Sequence, residues 1–193
     1  MRAYYLQRGK LKQETLKDFK RYKDFVVYEV WDVEELKRIF PKLELKDITI
    51  EDVLEENPVK LEEFEHTFLL VLYKPYILAD DWDYEQVSII AKDKMVIVFR
   101  GERSENLIKR IIKKFFSKKP LSKEFFIYVA IERFLAEYSS LVDFIEFRIR
   151  ELEKQITDPE TQIIEETYDI RDLILDIKQI IVGYRDVVFT LKS

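Results

Sequence analysis

Cysteine is absent from the 193 residues. That excludes a disulfide scaffold, thiolate catalysis and any Cys-ligated zinc or iron–sulfur site. Histidine occurs once, at His66, so neither a His-rich metal site nor a pair of catalytic histidines can form within one chain. Three glycines, Gly9, Gly101 and Gly183, are too scattered to build a glycine-rich phosphate loop. With five prolines as the only other strong breakers, long helices are expected. The longest purely apolar run, 125–131, falls far short of the ~20 residues that span a bilayer. The start, Met1-Arg2-Ala3-Tyr4-Tyr5, has no apolar leader followed by a small-residue cleavage site, so the chain as given is expected to be soluble and intracellular.

What is present argues for a folded core. Apolar residues make up 47%, including 14 Phe and 11 Tyr, far above the level of disordered chains. Charged residues reach 37%, split into 38 acids and 33 bases, and the net charge of −5 disfavours nonspecific nucleic-acid binding.

The first hundred residues read as mixed α and β. A short strand at 4–7 turns at Arg8-Gly9, and Leu16 and Phe19 suggest a short surface helix over 15–22. The β-branched and aromatic stretch 24–31 reads as a strand. Asp32, with Glu35 three residues on, reads as a capping box for a helix ended by Pro41. Asp47 or Thr49 caps a second short helix over 50–55. The run 67–73 is nearly all apolar, as in a strand buried on both faces. Two further strands, 87–90 and 95–99, flank Lys92-Asp93-Lys94 as a hairpin, and the acidic stretch 80–83 reads as the connection before them.

After Gly101 the period becomes helical. Ser104 caps a helix with Leu107, Ile108, Ile111, Ile112 and Phe115 on one face, and Pro120 breaks it. Apolar residues then recur from Ile127 to Ile156 every 3.6 residues, which predicts one helix about 50 Å long. Asp158-Pro159 turns the chain into a second long helix with a seam at Ile170, Ile174, Ile177, Ile181, Tyr184, Val188 and Leu191. The two should pack antiparallel and project as a hairpin. The one boundary lies near 101–120, giving a sheet domain over 1–120 and a helical hairpin over 121–193.

Several features have ordinary explanations. His66 reads as a strand-edge residue. The Asp81–Glu85 stretch lacks the glycine and closing glutamate of a calcium loop, having Gln86 and Lys92 there. The basic run from Lys109 to Lys119 reads as the solvated face of an amphipathic helix. Tyr28, Trp31, Phe68, Phe99 and Phe126 read as core. The acids Glu51 and Asp52 suit a helix first turn, whose dipole favours them.

In their order and spacing, however, these pieces resemble a known family. The segment 48–54 with its Glu51-Asp52 pair, then 59–65 and 68–72, then Glu85-Gln86-Val87-Ser88 followed by 95–99, then long helices carrying Tyr184-Arg185-Asp186, together resemble the CorA family of magnesium and cobalt transporters over about 24–193. The local departure is Glu55-Glu56-Asn57-Pro58, one residue shorter than the family's stretch there. The resemblance implies an α+β fold, an α/β/α sandwich with a mixed, mostly antiparallel sheet followed by a long antiparallel helical hairpin. It implies the cytoplasmic, ion-sensing part of a divalent-cation channel, set at the cytoplasmic face of the cell membrane and cut before the last stalk helix and the membrane helices. Mg²⁺, with Co²⁺ or Ni²⁺ as alternatives, is the implied regulatory and transported ion. Glu51 and Asp52 match the family's acidic pair, and Glu137 matches an acid of a second metal site. The implied partners are copies of the same chain, five in the intact protein, with no nucleic acid. The alternative is a soluble oligomerising scaffold or binding module. A metal-dependent hydrolase is not expected, because nothing beyond the acids offers a nucleophile–base pair.

Overall fold

The structure, a computed structural model, describes residues 1–78, 81–155 and 163–191. Seven strands form one sheet in the order β2-β1-β3-β7-β6-β5-β4. They are β1 (Arg2–Gln7), β2 (Lys10–Thr15), β3 (Val26–Val30), β4 (Lys60–Phe64), β5 (Thr67–Leu78), β6 (Asp81–Lys92) and β7 (Met95–Arg100). Only β3 and β7 run parallel; every other neighbouring pair is antiparallel. The α+β class with a mixed, mostly antiparallel sheet is therefore the fold observed.

Side chains alternate across a strand, so the inner strands feed two cores. Val27, Leu70, Leu72, Val87, Ile89, Val96 and Val98 belong to one core. Their neighbours Val26, Tyr28, Leu69, Ile90 and Ile97 belong to the other. The first core is roofed by α3 (Glu105–Phe116), α4 (Lys123–Gln155) and α5 (Ile163–Thr190). The second is covered by α1 (Val33–Ile39), the 3₁₀ turn Phe40–Leu43 and α2 (Ile50–Leu54). The sheet is thus sandwiched between two helical layers. Full burial of both faces explains why 69–72 could be apolar without interruption; all four residues have no exposed surface, and each contributes about 1.5–3 kcal/mol by leaving water.

The helix expected over 15–22 does not form. Lys10–Thr15 pairs with β1 instead, and the following segment lays Leu16 and Phe19 into the second core. Phe19 and Tyr22 both pack near the ring of Tyr28, at 5.3 and 6.2 Å between centroids. Tertiary contact overrides weak local propensity here. The acidic stretch read as a connection is strand: Asp81, Trp82 and Asp83 pair with Leu78, Ile77 and Tyr76. Its first residue, Asp80, lies outside the described residues, as does the Asp158-Pro159 turn.

The capping readings held in part. Asp32 accepts from the Glu35 amide at 2.7 Å, but the Glu35 carboxylate pairs with the Met1 ammonium rather than returning to the cap. Ser104 sits at the start of α3, yet its buried hydroxyl has no partner among the described residues. A carboxylate from the sheet does that work: Glu85 accepts from the Ser104 and Arg103 amides at 2.8 and 3.0 Å. Trp31 is not core. It is 37% exposed and lies beneath the guanidinium groups of Arg2 and Arg100, at 4.6 and 5.5 Å.

The long helices pack on the sheet and against each other. Tyr138 on α4 meets Tyr184 on α5, and Arg148 meets Glu166, so the two run antiparallel. Both tyrosine hydroxyls donate to the Tyr73 carbonyl of β5 at 3.0 Å, which ties the hairpin to the sheet. The α5 seam is correct at Ile170, Ile177, Tyr184, Val188 and Leu191, which face the core, and fails at two positions. Ile170, Leu173, Ile180, Tyr184 and Val187 are buried, whereas Ile174 and Ile181 are exposed. The reason is Gly183: a Cβ there would stand 2.8 Å from the Val59 Cβ and 2.9 Å from its carbonyl. Only a bare backbone permits that approach, and it fixes which stripe of α5 turns inward.

Candidate functional site

The acidic pair lies in the first turn of α2. Thr49 is the N-cap, and a complete capping box forms: the Thr49 hydroxyl accepts from the Asp52 amide at 3.3 Å, while Asp52 Oδ2 accepts from the Thr49 amide at 2.7 Å and hydroxyl at 2.8 Å. The amide hydrogen bond, and the hydroxyl after it, favour the ionised carboxylate and hold Asp52 below the ordinary aspartate value; Lys60 adds a small electrostatic pull. Among the described residues, neither Glu51 nor Asp52 forms an ion pair with arginine or lysine. Glu51 is exposed and Asp52 is half-buried.

Neighbouring residues on a helix point about 100° apart and do not face each other. Glu51 and Asp52 therefore cannot close on one ion as a chelate. Asp52 is turned back to Thr49 by one oxygen, Glu51 outward. Ligands that complete a coordination shell must come from outside this helix.

The sheet pins α2 at its other end, through the Glu85-Gln86-Val87-Ser88 segment of β6. Alternation sends Gln86 and Ser88 to the α2 face. Ser88 Oγ donates to the Val53 carbonyl at 2.8 Å, and Gln86 Nε2 donates to the Glu55 carbonyl at 2.9 Å. Gln86 Oε1 accepts from the Asn57 amide at 2.9 Å. Asn57 Nδ2 in turn donates to the carbonyls of Asp52 and Glu55, at 3.2 and 2.9 Å. The carbonyls left open by a five-residue helix are thus met by side chains. Glu56, in the stretch where the sequence departs from the family pattern, accepts from the Tyr84 hydroxyl at 2.6 Å, and that bond is the chief reason the phenol is held above its ordinary value. These positioning roles of Gln86, Ser88 and Asn57 were not read from the sequence. The polar residues at alternate positions of an otherwise apolar strand were the available signal.

Glu137 stands elsewhere, on α4 above the opposite face of the sheet from α2. It accepts from the Arg110 guanidinium of α3 at 2.7 Å and is about one-fifth exposed. The structure therefore does not bring Glu137 to the acidic pair, and an arginine already balances its charge. Other cations of the basic α3 face are balanced similarly, Lys109 by Glu105 at 2.6 Å and Lys114 by Glu132. Among the described residues no three acid or imidazole side chains converge as a metal cluster. The carboxylate donors present suit a hard divalent cation, and Mg²⁺ needs only one or two of them because it keeps several waters. His66, in the turn between β4 and β5, is exposed and offers only its carbonyl, to Lys123 at 2.6 Å.

Residues 24–193 match the family model described as CorA-like Mg²⁺ transporter protein. Among solved structures, the CorA magnesium transporter from Methanocaldococcus jannaschii superposes with a TM-score of 0.75 at 17% identity, covering 100% of this chain and 62% of that one. The soluble domain of the same organism's CorA gives 0.68 at 21% identity, covering 88% and 70%. The ZntB cytoplasmic domain from Vibrio parahaemolyticus gives 0.63 at 15% identity, covering 100% and 87%. Comparison with curated proteins returns no match. The chain thus spans under two thirds of the first of these structures. Among the described residues no helix is long and apolar enough to cross a membrane.

Proposed function

Because the chain belongs to the CorA-like Mg²⁺ transporter family, we propose that it is the ion-sensing, regulatory portion of a divalent-cation transporter, lying on the cytoplasmic face of the membrane, and not an enzyme. Mg²⁺ is the proposed regulatory and transported ion, with Co²⁺ and Ni²⁺ as alternatives. The observation that carries the reading is the acidic pair: two carboxylates on a helix pinned at both ends, one exposed, neither neutralised by a basic side chain. Carboxylates left without a basic partner gain by binding a hard divalent cation, whose preference for oxygen ligands they suit.

In this reading the ion is a bridge, which the outward set of Glu51 on α2 supports. Glu51 or Asp52 of one subunit supplies one side, and a neighbouring copy, five in the intact protein, supplies the other. Glu137 belongs to a second site, reached when Arg110 shares or releases it. The sheet part, 1–120, carries the sensor, and the helical part, 121–193, passes the state of the boundary on. Several bridges acting together reach the ~5.5 kcal/mol that moves an equilibrium from 1:99 to 99:1.

Calorimetric titration of Mg²⁺ and Co²⁺ tests this. The wild-type chain should give saturable heat, and Glu51→Gln/Asp52→Asn should abolish it. The asparagine retains an oxygen that can accept from Thr49, so the helix cap survives. Equal heats for both proteins would remove the acidic pair from the site.

A further inference from the structure

Where β6 turns into β7, Asp93 and Lys94 meet the 19–23 segment and the exit of the 3₁₀ turn around a cavity of about 370 Å³. That is within the range of about 300–1,000 Å³ typical of small-molecule sites. None of Glu51, Asp52 and Glu137 lines it. Its wall holds five basic side chains against two acids, an excess of three positive charges in a chain of net charge −5.

The partners of those cations matter more than their number. Arg21 pairs with Glu44, and Lys42 with Asp18, each at 2.6 Å. Lys92 donates to the Glu44 carbonyl at 2.8 Å; a neutral acceptor holds the ammonium in place without cancelling its charge. Lys23 and Lys94 form no ion pair among the described residues, and beside the paired Glu44 the one acid lining the cavity is Asp93. Three ammonium groups against one free carboxylate on one concave wall leave a net positive potential there. Beside them the cavity presents the rings of Phe19 and Tyr22. Tyr22 is held in place, its hydroxyl donating to Glu14 at 2.8 Å and its ring tilted against Tyr5 at 4.6 Å between centroids. The segment that failed to become a helix carries both rings, and Lys23 follows it directly.

We propose that this cavity binds a nucleoside phosphate, its base against Phe19 and Tyr22 and its phosphates among Lys23, Lys92 and Lys94. Ammonium point charges suit phosphate oxygens, and aromatic faces suit a flat base without reading its identity.

Titration with ADP, pyrophosphate and adenosine, each without divalent ions, tests the assignment independently of metal sensing. ADP should saturate at one per chain, and Lys23→Glu/Lys94→Glu should weaken it by about tenfold or more, as expected for two reversed charges near an anion. Both lysines are exposed, so the variant should keep the wild-type circular dichroism and melting curve. Raising salt from about 0.05 to 0.2 M should weaken ADP severalfold. Adenosine should give no saturable heat, and pyrophosphate should bind clearly more weakly than ADP. Absence of ADP saturation, or equal ADP affinity in wild type and variant, overturns the proposal. Pyrophosphate binding as tightly as ADP overturns the nucleoside part of it.

Discussion

Breaking the buried charge network beneath β1, β3 and β7 should destabilise the fold more than any other single polar change. Glu29 has no exposed surface and Arg100 is 3% exposed. Arg100 holds Glu29 Oε1 by two nitrogens, Nε at 2.7 Å and a terminal nitrogen at 2.6 Å. Tyr4 donates to Oε2 at 2.8 Å, and Arg2 stands at 3.5 Å from it. Arg100→Met leaves a buried carboxylate with only Tyr4 and a distant, partly exposed Arg2. Glu29→Leu leaves a buried guanidinium whose remaining firm acceptor is the Gly101 carbonyl at 2.7 Å. Removing one member of a buried pair typically costs 3–5 kcal/mol, about a third or more of a domain's whole stability. Replacing both with apolar residues of similar volume removes the orphaned charge, and the remaining loss is about 1 kcal/mol for the unpartnered Tyr4 hydroxyl. Urea unfolding at neutral pH should therefore show each single variant losing about 3–5 kcal/mol and the double variant far less than their sum. Additive losses, or a single-variant loss below about 1 kcal/mol, would refute the reasoning.

Other consequences follow from single contacts. Gly183→Ala should lower stability by about 1–3 kcal/mol, because its methyl meets the Val59 backbone and side chain and pushes α5 off β4; urea unfolding would show this, and an unchanged midpoint would contradict the close approach. Acid should weaken the fold through Glu105 and Asp52, both held below their ordinary values. Glu105, beside Lys109 and Arg2, lies at about 2. A depressed carboxylate stabilises above its unfolded value, so stability should be level above about pH 4.5 and fall as pH drops toward 2. Alkali should weaken it too, through groups shifted the other way. Burial pushes the phenols of Tyr28, Tyr138 and Tyr184 up, so their contribution is complete below about pH 10 and is lost above it. Thermal melts across pH would check both limbs.

What the sequence disclosed follows the strength of its patterns. Residues 67–73 and the 3.6-residue period of α4 announced themselves because burial left no room for polar exceptions. β2, Lys-Leu-Lys-Gln-Glu-Thr, and β4, Lys-Leu-Glu-Glu-Phe, were not read as strands. Both are edge strands at the two ends of the sheet, β2 largely exposed and β4 only partly buried, and so carry little apolar alternation. The inner stripe of α5 was open at three places, because Leu173-Ile174, Ile180-Ile181 and Val187-Val188 are adjacent apolar pairs. The contact of Gly183 with Val59, more than 100 residues apart, chooses between them. At the acidic pair the sequence showed the Thr49 cap and the carboxylates, since both follow from local helix chemistry. Arg110 across from Glu137 was not legible, because the pairing depends on how α3 lies on α4.

The account's centre is that the acidic pair of α2 reads a divalent cation between copies of this chain. Sedimentation velocity in rising Mg²⁺ reads this directly. The wild-type chain should shift from a slower to a faster species as Mg²⁺ rises and return when the ion is chelated, while Glu51→Gln/Asp52→Asn stays at the slower value throughout. Identical sedimentation of the two proteins at every Mg²⁺ concentration would contradict it.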